Sequence, residues 1–320
     1  MSMVSPSITA VPSLSASPAR AHFGNVLYGE LFKITRLRIA WVIFGLYTLF
    51  IVGGQLALAT GSRAKSQLIS DPLGSWYNAM NGDLELIRIF SGIFLLILTA
   101  HVVGLEYQLG TIRILLGRGV GRVQLLAAKT LALAIVALVV SLFEALIETI
   151  CAWLIVLALA GSHAPWRAIN AAFWQNTGLF LLCVLISMGA TLLLGVAASV
   201  AGRSLAFGLT VGLCWFAVDN LGTIALSLLF QLTHSDFWLK LSGFSLGLLL
   251  NRLPDYVVPT WSETVQTAHG AVTVTNTVTG FGIPPLTSVS EAQALLIILA
   301  YCVVFAAVAI MLTVRRDVKE

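Results

Sequence analysis

The chain has 320 residues, of which 58% are hydrophobic and only 10% charged, with a formal net charge of +4. Soluble domains carry about 25% charged residues, so a chain this apolar has no aqueous fold that hides its surface, whereas a bilayer solvates apolar side chains. The small positive excess gives no footing for a nucleic-acid partner. The four cysteines, Cys151, Cys183, Cys214 and Cys302, lie in apolar runs without metal or redox spacing and read as small buried hydrophobes.

Residues 1–22 are rich in Ser, Pro and Ala and read as a flexible cytoplasmic tail. No short apolar segment follows a basic start, so the sequence predicts no cleavable signal peptide, and the first span serves as its own insertion signal. Residues 27–40 (LYGELFKITRLRIA) mix Leu27, Leu31, Phe32, Ile34, Leu37 and Ile39 with Lys33, Arg36 and Arg38. This suits either an amphipathic helix at the cytoplasmic interface or a helical extension of the first span.

A crossing needs about 20 mostly apolar residues to pass a hydrocarbon core of about 30 Å. Six stretches meet that requirement: 39–60, 87–105, 124–160, 174–200, 204–230 and 293–314. The third is long for one crossing and is either tilted, extended into the cytoplasm or broken near Cys151. Residues 231–292 form a long outer loop. Within it, 237–251 (FWLKLSGFSLGLLLN) are apolar but too short to span and suit a re-entrant or interfacial helix, while AVTVTNTVTG suits a small hairpin. Lys33, Arg36, Arg38, Arg113, Arg118, Arg122, Lys129, Arg203, Arg315, Arg316 and Lys319 fall on one side of this arrangement, on short segments. The other side holds Arg63, Lys65, Arg88, Arg167, Lys240 and Arg252 on longer loops. The positive-inside rule puts the first side, with both termini, in the cytoplasm. The predicted fold is thus an all-α polytopic membrane protein of six transmembrane helices, with residues 23–320 forming one membrane domain.

Ionisable groups inside spans are costly and often functional. The candidates are His101, Glu144, Glu148 and Asp219. Glu144 and Glu148 are four apart and share a helix face. Asp219, with Asn220, interrupts the fifth span beyond its midpoint. These four side chains, Glu144, Glu148, Asp219 and Asn220, either line a translocation path that favours cationic or hydrogen-bonding substrates or fix the packing between helices. His101 reads as a packing residue. The five histidines are scattered, and no nucleophile triad or metal-ligand spacing is present, so no catalytic or metal site is expected.

The most informative stretch is 104–129, GLEYQLGTIRILLGRGVGRVQLLAAK. Glu106 is the first charge after a long uncharged run. Gly110 lets the helix break, and Thr111 is positioned to cap a new one whose apolar side is Ile112, Ile114, Leu115 and Leu116. Gly117, Gly119 and Gly121 then end it. The expected product is a short helix parallel to the membrane between two flexible joints.

This stretch resembles the permease subunits of type-2 ABC transporters, the family that includes bacitracin-resistance and sodium-efflux permeases. Those proteins tend to show Gly-x-Glu-Tyr/Phe-x-x-Gly-Thr-x-Arg, a leucine-rich turn, and then an Arg and a Lys leading into the next span. The matching residues are Gly104, Glu106, Tyr107, Gly110, Thr111, Arg113, Leu115, Leu116, Arg118, Arg122 and Lys129. Gly119-Val120-Gly121-Arg122 replaces the family's usual Pro-Val/Ser-Arg. The ending Thr313-Val314-Arg315-Arg316-Asp317-Val318 is also similar to the family's Arg-Arg-Asp ending. The resemblance implies that 106–123 is a coupling segment docking on a separate ATPase, with Glu106, Tyr107, Gly110, Thr111, Arg113, Arg118, Arg122 and Lys129 as its working residues. It further implies an exporter in the cytoplasmic membrane, built from two permeases, identical or paralogous, and two ATPase subunits.

No Gly-x-x-x-x-Gly-Lys-Ser/Thr occurs, and the glycines at 117, 119 and 121 follow no strand. This chain is therefore expected to be non-catalytic, binding no cofactor itself, with ATP and Mg on the partner. Two rival readings remain open at this stage. An ion-coupled carrier or channel would use the intramembrane carboxylates, and a membrane enzyme would place its site in the outer loop.

Overall fold

The computed structural model describes residues 22–60, 64–257, 261–267, 270–276 and 289–315. The N-terminal tail up to residue 21, the Arg316-Asp317 ending and the loop segments between these ranges lie outside the described residues, as do the side chains of the hairpin.

The chain starts with α1 (Phe23–Arg36), capped by His22, whose Nδ1 accepts from the Gly24 amide at 3.2 Å. Leu37 then adopts an extended backbone (φ −78°, ψ 105°), and α2 (Arg38–Ala59) begins anew. The amphipathic segment is thus a separate helix rather than an extension of the first span. The Trp41 ring N–H donates to the Thr35 carbonyl at 2.8 Å across the corner. Tyr28 and Phe32 face outward while Glu30 and Ile34 face the bundle, as a helix lying at an interface requires.

After a short α3 (Ala64–Ser70), α4 runs over Pro72–Thr99, with Asp71 capping its first turn through a 2.8 Å bond to the Gly74 amide. The sequence expectation starts this span at 87, so the helix gains more than four turns. Asp83, Glu85 and Arg88 depress the apolar signal there, yet all three are buried inside the bundle, each with a polar partner. Glu85 and Arg88 pair at 2.8 Å one turn apart, and Asp83 accepts from Gln55 at 2.7 Å. Arg88 is accordingly a helix residue and not part of an outer loop.

A π-helical turn, Ala100–Gly104, leads from α4 into α5 (Leu105–Gln108), and α6 follows at Thr111–Gly117. Next, α7 (Arg122–Ala160) is one unbroken helix of 39 residues, passing Cys151 without interruption and ending at Gly161 with φ +64°. The pair α8 (Ala171–Gly202) and α9 (Leu205–Thr233) is joined by a tight link in which Arg203 takes a left-handed conformation, φ 51°. The apolar stretch 237–251 forms two helices, α10 (Asp236–Ser242) and α11 (Leu246–Val257). Leu246, Leu248, Leu249, Leu250 and Leu253 of α11 are buried in the bundle. Strands β1 (Trp261–Thr267) and β2 (Gly270–Asn276) pair antiparallel, with Val265 opposite Val272. The hairpin therefore begins ten residues before the segment expected from the sequence. Finally, α12 covers Glu291–Arg315.

Among the described residues, α2, α4 with its extension to Gln108, α7, α8 and α12 are long and apolar enough to cross a membrane, and α9 holds a shorter apolar stretch, Leu205–Asp219. The protein is an all-α polytopic membrane protein. Helices α4 and α8 sit at its centre. The ridge they share is close enough that a Cβ at Gly195 would meet Thr99 at 3.2 Å and Leu96 at 3.3 Å. Around them, α2, α7 and α12 turn apolar residues outward: Leu49 and Phe50, Val139 and Leu146, Leu296 and Leu299 are each more than half exposed. Lipid, not water, matches such faces.

Candidate functional site

The end of the bundle that holds residues 105–122 is called inner below, and the opposite end outer. At the inner end the structure builds a closed ring of four charges. Lys33 bonds Glu30 and Glu106, each at 2.7 Å, and Lys129 bonds Glu30 and Glu106, each at 2.8 Å. Lys129 is 2% exposed and Glu30 3%. The ring is neutral, and each charge touches two of opposite sign, the arrangement in which buried ions recover their desolvation cost. Burial works against the Lys33 ammonium, but its bonds to Glu106 and Glu30 and their charges outweigh that and raise its pKa above the ordinary 10.5. A raised lysine value means that this contribution is fully present below 10.5 and is lost only as pH rises through the higher folded-state value.

The ring ties three elements that are distant in sequence. Glu30 and Lys33 come from α1, Glu106 from the extension of α4, and Lys129 from the second turn of α7. The π-helical turn also takes part, because the Val102 carbonyl accepts from Lys129 Nζ at 3.3 Å. Such turns widen the helix and release backbone groups from the regular ladder.

Close packing fixes the same segment from the other side. A Cβ on Gly104 would sit 2.8 Å from the Ser204 carbonyl in the α8–α9 link, so the first glycine of the motif is required by backbone approach. Gln108 Oε1 accepts from the Leu205 amide at 3.2 Å. The chain then breaks at Gly110 (φ +69°), starts α6, and breaks again at Gly119 (φ +84°). Gly110, not Thr111, is the N-cap. Thr111 is the first helical residue, and its hydroxyl donates back to the Glu106 carbonyl at 3.3 Å. A left-handed glycine already turns the chain, so the threonine is free to tie off the preceding helix.

Ile112 packs inward with Val120 and Leu125, while Arg113, Ile114 and Arg118 are exposed. Of the predicted coupling residues, Tyr107, Gly110, Arg113, Arg122 and Lys129 line one cavity of about 70 Å³ beneath this short helix, together with Arg203 and Thr313. Arg118 lies outside it. Arg122 also reaches α12, donating to the Val314 carbonyl at 3.4 Å. Glu30 and Lys33 are the ring residues that motif reading passed over. Their signal was present as two charges one turn apart on a helix with an apolar face, but their partners lie 73 and 99 residues away.

A second polar group lies in the outer half. The Thr48 hydroxyl donates to Glu144 Oε1 at 2.6 Å, and Gln55 Nε2 donates to Asp83 Oδ2 at 2.7 Å and to the Glu148 carbonyl at 3.3 Å. Glu144 is fully buried and Glu148 is 5% exposed. Asp83 joins the two predicted glutamates here. Asp219 is elsewhere: it accepts from the Ser245 hydroxyl at 2.6 Å and from the Gly247 amide, closing the N-terminus of α11. The Asn220 side chain is outside the described residues. His101 bonds the Ile97 carbonyl at 2.9 Å within its own helix, a packing contact. Among the described residues no group of three or more His, Cys, Asp or Glu side chains is arranged to hold a metal ion.

A bundle of long apolar helices carrying a charge-anchored short helix between two left-handed glycines is a polytopic membrane protein with a built segment at one end. Residues 26–233 match the family of ABC-2 family transporter proteins, and the chain belongs to that family. It is accordingly a membrane component of an ABC transporter, the class that associates with an ATP-binding cassette subunit and is not itself the catalyst. Among curated proteins, none matches the sequence significantly.

Proposed function

We propose that the chain is the path-forming subunit of an exporter in the cell membrane, driven by a separate ATPase that docks on residues 106–123. The observation that carries this reading is α6, a two-turn helix held between Gly110 and Gly119. It exposes Arg113, Ile114 and Arg118 on one side and buries Ile112 on the other. Exposed Leu109 adds to the apolar part of the face. A mixed apolar and basic knob of this kind suits a groove on a protein partner.

In this proposal Glu106 and Lys129 act from inside, as the anchor that makes α6 move together with α1, α4 and α7. Tyr107, Gly110, Thr111 and Arg122 shape the segment, and Arg113 and Arg118 make the contact. ATP and Mg bind the partner, whose closure displaces α6. The contact of Gly104 and Gln108 with the α8–α9 link passes the displacement on to α9. Two permease chains, identical or paralogous, pair with two ATPases, and the membrane is crossed six times with both termini inside. The energy of the switch comes from the partner's different affinity for ATP in the two states.

Affinity purification of the tagged chain from its native membrane, followed by an ATPase assay, tests this. A stoichiometric ATPase that is lost on Arg113→Glu with Arg118→Glu supports the coupling site. A homo-oligomer without ATPase overturns it and favours an ion-coupled carrier, for which the outer carboxylates Glu144 and Glu148, with Asp219 and Asn220, are the residues to test next.

A further inference from the structure

Two cavities flank Asp83 in the outer half of the bundle. The larger, about 250 Å³, is lined by Gln55, Trp76 and Asp83 between α2, α4 and α7. The smaller, about 100 Å³, is lined by Trp76, Asp83, Glu148 and Trp166. Trp76 and Asp83 belong to both, so the cavities share a wall.

The chemistry of that wall is lopsided. Among the described residues, Asp83 and Glu148 of the wall, and Glu144 one turn before Glu148 on α7, have no lysine or arginine partner. Arg88, on the same helix as Asp83, is occupied by Glu85. Asp83 and Glu148 line the same cavity, and Gln55 ties them together by donating to Asp83 Oδ2 and to the Glu148 carbonyl. Polar atoms of the wall are also left unpaired: Glu148 Oε1 and Gln55 Oε1, on residues that are each 5% exposed, have no hydrogen-bond partner, and neither has the ring N–H of Trp166. A buried carboxyl without a countercharge favours its neutral form, and a bound cation would both supply the missing charge and meet the unpaired acceptors.

The remaining lining is aromatic. Trp76 and Trp166 stand 4.4 Å apart with their planes at 51°, and Phe173 and Trp174 continue the wall. Indole faces attract cations, most strongly where water is excluded. No metal-ligand grouping exists among the described residues, and the walls are hydrophobic, which suits an organic group rather than a hydrated ion.

We propose that Asp83, Glu148 and Gln55, walled by Trp76 and Trp166, form the recognition site for the ammonium-type head of an organic cation. This deepens the transport reading by naming a substrate class, and it rests on that reading for its purpose but not for its test.

The test uses the purified full chain in lipid nanodiscs, titrated with benzyltrimethylammonium while tryptophan fluorescence is followed, and separately with benzenesulfonate, an aromatic ion of opposite charge. The expected result is a saturable change with the cation alone. Asp83→Asn and Glu148→Gln should each raise the midpoint about tenfold or more, and Glu291→Gln, at the exposed start of α12, should leave it unchanged. Equal responses to both probes, or midpoints unmoved in both carboxylate variants, overturn the site. If Asp83→Asn fails to fold, Glu148→Gln and the comparison of the two probes on the unaltered protein decide. A chain that binds the cation but recruits no ATPase keeps this site and loses the coupling proposal. A chain that recruits the ATPase but lacks carboxylate-dependent binding does the reverse.

Discussion

The protein buries carboxylates at both ends of α7 and treats them oppositely. At the inner end, Glu30 and Glu106 each touch two ammonium groups, and the ring closes on itself. In the outer half, Asp83 and Glu144 meet only neutral donors, and Glu148 Oε1 meets none. The closed ring balances its own charges, which suits it to holding α1, α4 and α7 together. The open cluster is electrically incomplete, which makes it suited to receiving something. Residue type alone does not separate anchor from receptor; the balance of partners does.

The sharpest way to break the comparison is to remove one member from each group. Glu106→Gln leaves Lys129 buried with half its countercharge gone, and breaking a buried pair from one side costs about 3–5 kcal/mol. We expect a large drop in melting temperature in detergent and poor recovery of monodisperse protein. Pairing it with Lys129→Met should recover part of the loss, which a double-mutant cycle reads directly.

Asp219→Ala removes the acceptor that closes the start of α11, and the loss of such a cap is worth about 1–2 kcal/mol. Limited proteolysis near 243–245 should report it before global unfolding does. Gly104→Ala pushes a methyl group against the Ser204 carbonyl, and overpacking of this kind costs about 1–3 kcal/mol. It should loosen the inner end while leaving the outer cavities unchanged, as judged by cation binding.

The smallest stability effects are expected where the functional effects are largest. Arg113→Glu, being exposed, should stay within about 0.5 kcal/mol and yet abolish recovery of the ATPase. Glu148→Gln should leave the melting temperature unchanged or raise it, because it trades a lone buried carboxyl for an amide that brings its own donor. A fall in melting temperature as large as that of Glu106→Gln would show that the outer cluster is a packing element and end the contrast drawn here.

Much of the inner end was legible in the sequence, because its signals are local. Gly110 broke the helix where a left-handed residue was needed, and Ile112 marked the buried side of α6, although Ile114, read as part of the same apolar side, is exposed. The partners of Glu106 were not legible: Glu30 and Lys33 sit on a helix whose own pattern suggested only an interface. The outer cluster was legible in half. Glu144 and Glu148 stood out because they interrupt an apolar run, but Asp83 was hidden. With Glu85 and Arg88 it made the first half of α4 look like a loop, since a hydropathy window counts charges and cannot see that Asp83 meets Gln55 and that Glu85 and Arg88 pair with each other. Thr111 misled for a related reason. Its residue type favours a cap, and only the backbone of Gly110 shows that the position was already taken.

The unbroken length of α7 has a mechanical consequence. From Lys129 to Glu148 there is no glycine or proline, and at about 1.5 Å per residue that distance is roughly 28 Å. A rod of that length turns small angles into useful strokes: a tilt of about 5° at the ring carries Glu148 sideways by about 2.5 Å. That is enough to pull it out of contact with the neighbours it has on α2 and α4. The anchor and the receptor are thus two ends of one lever, whose fulcrum lies wherever α7 presses against the central pair of helices.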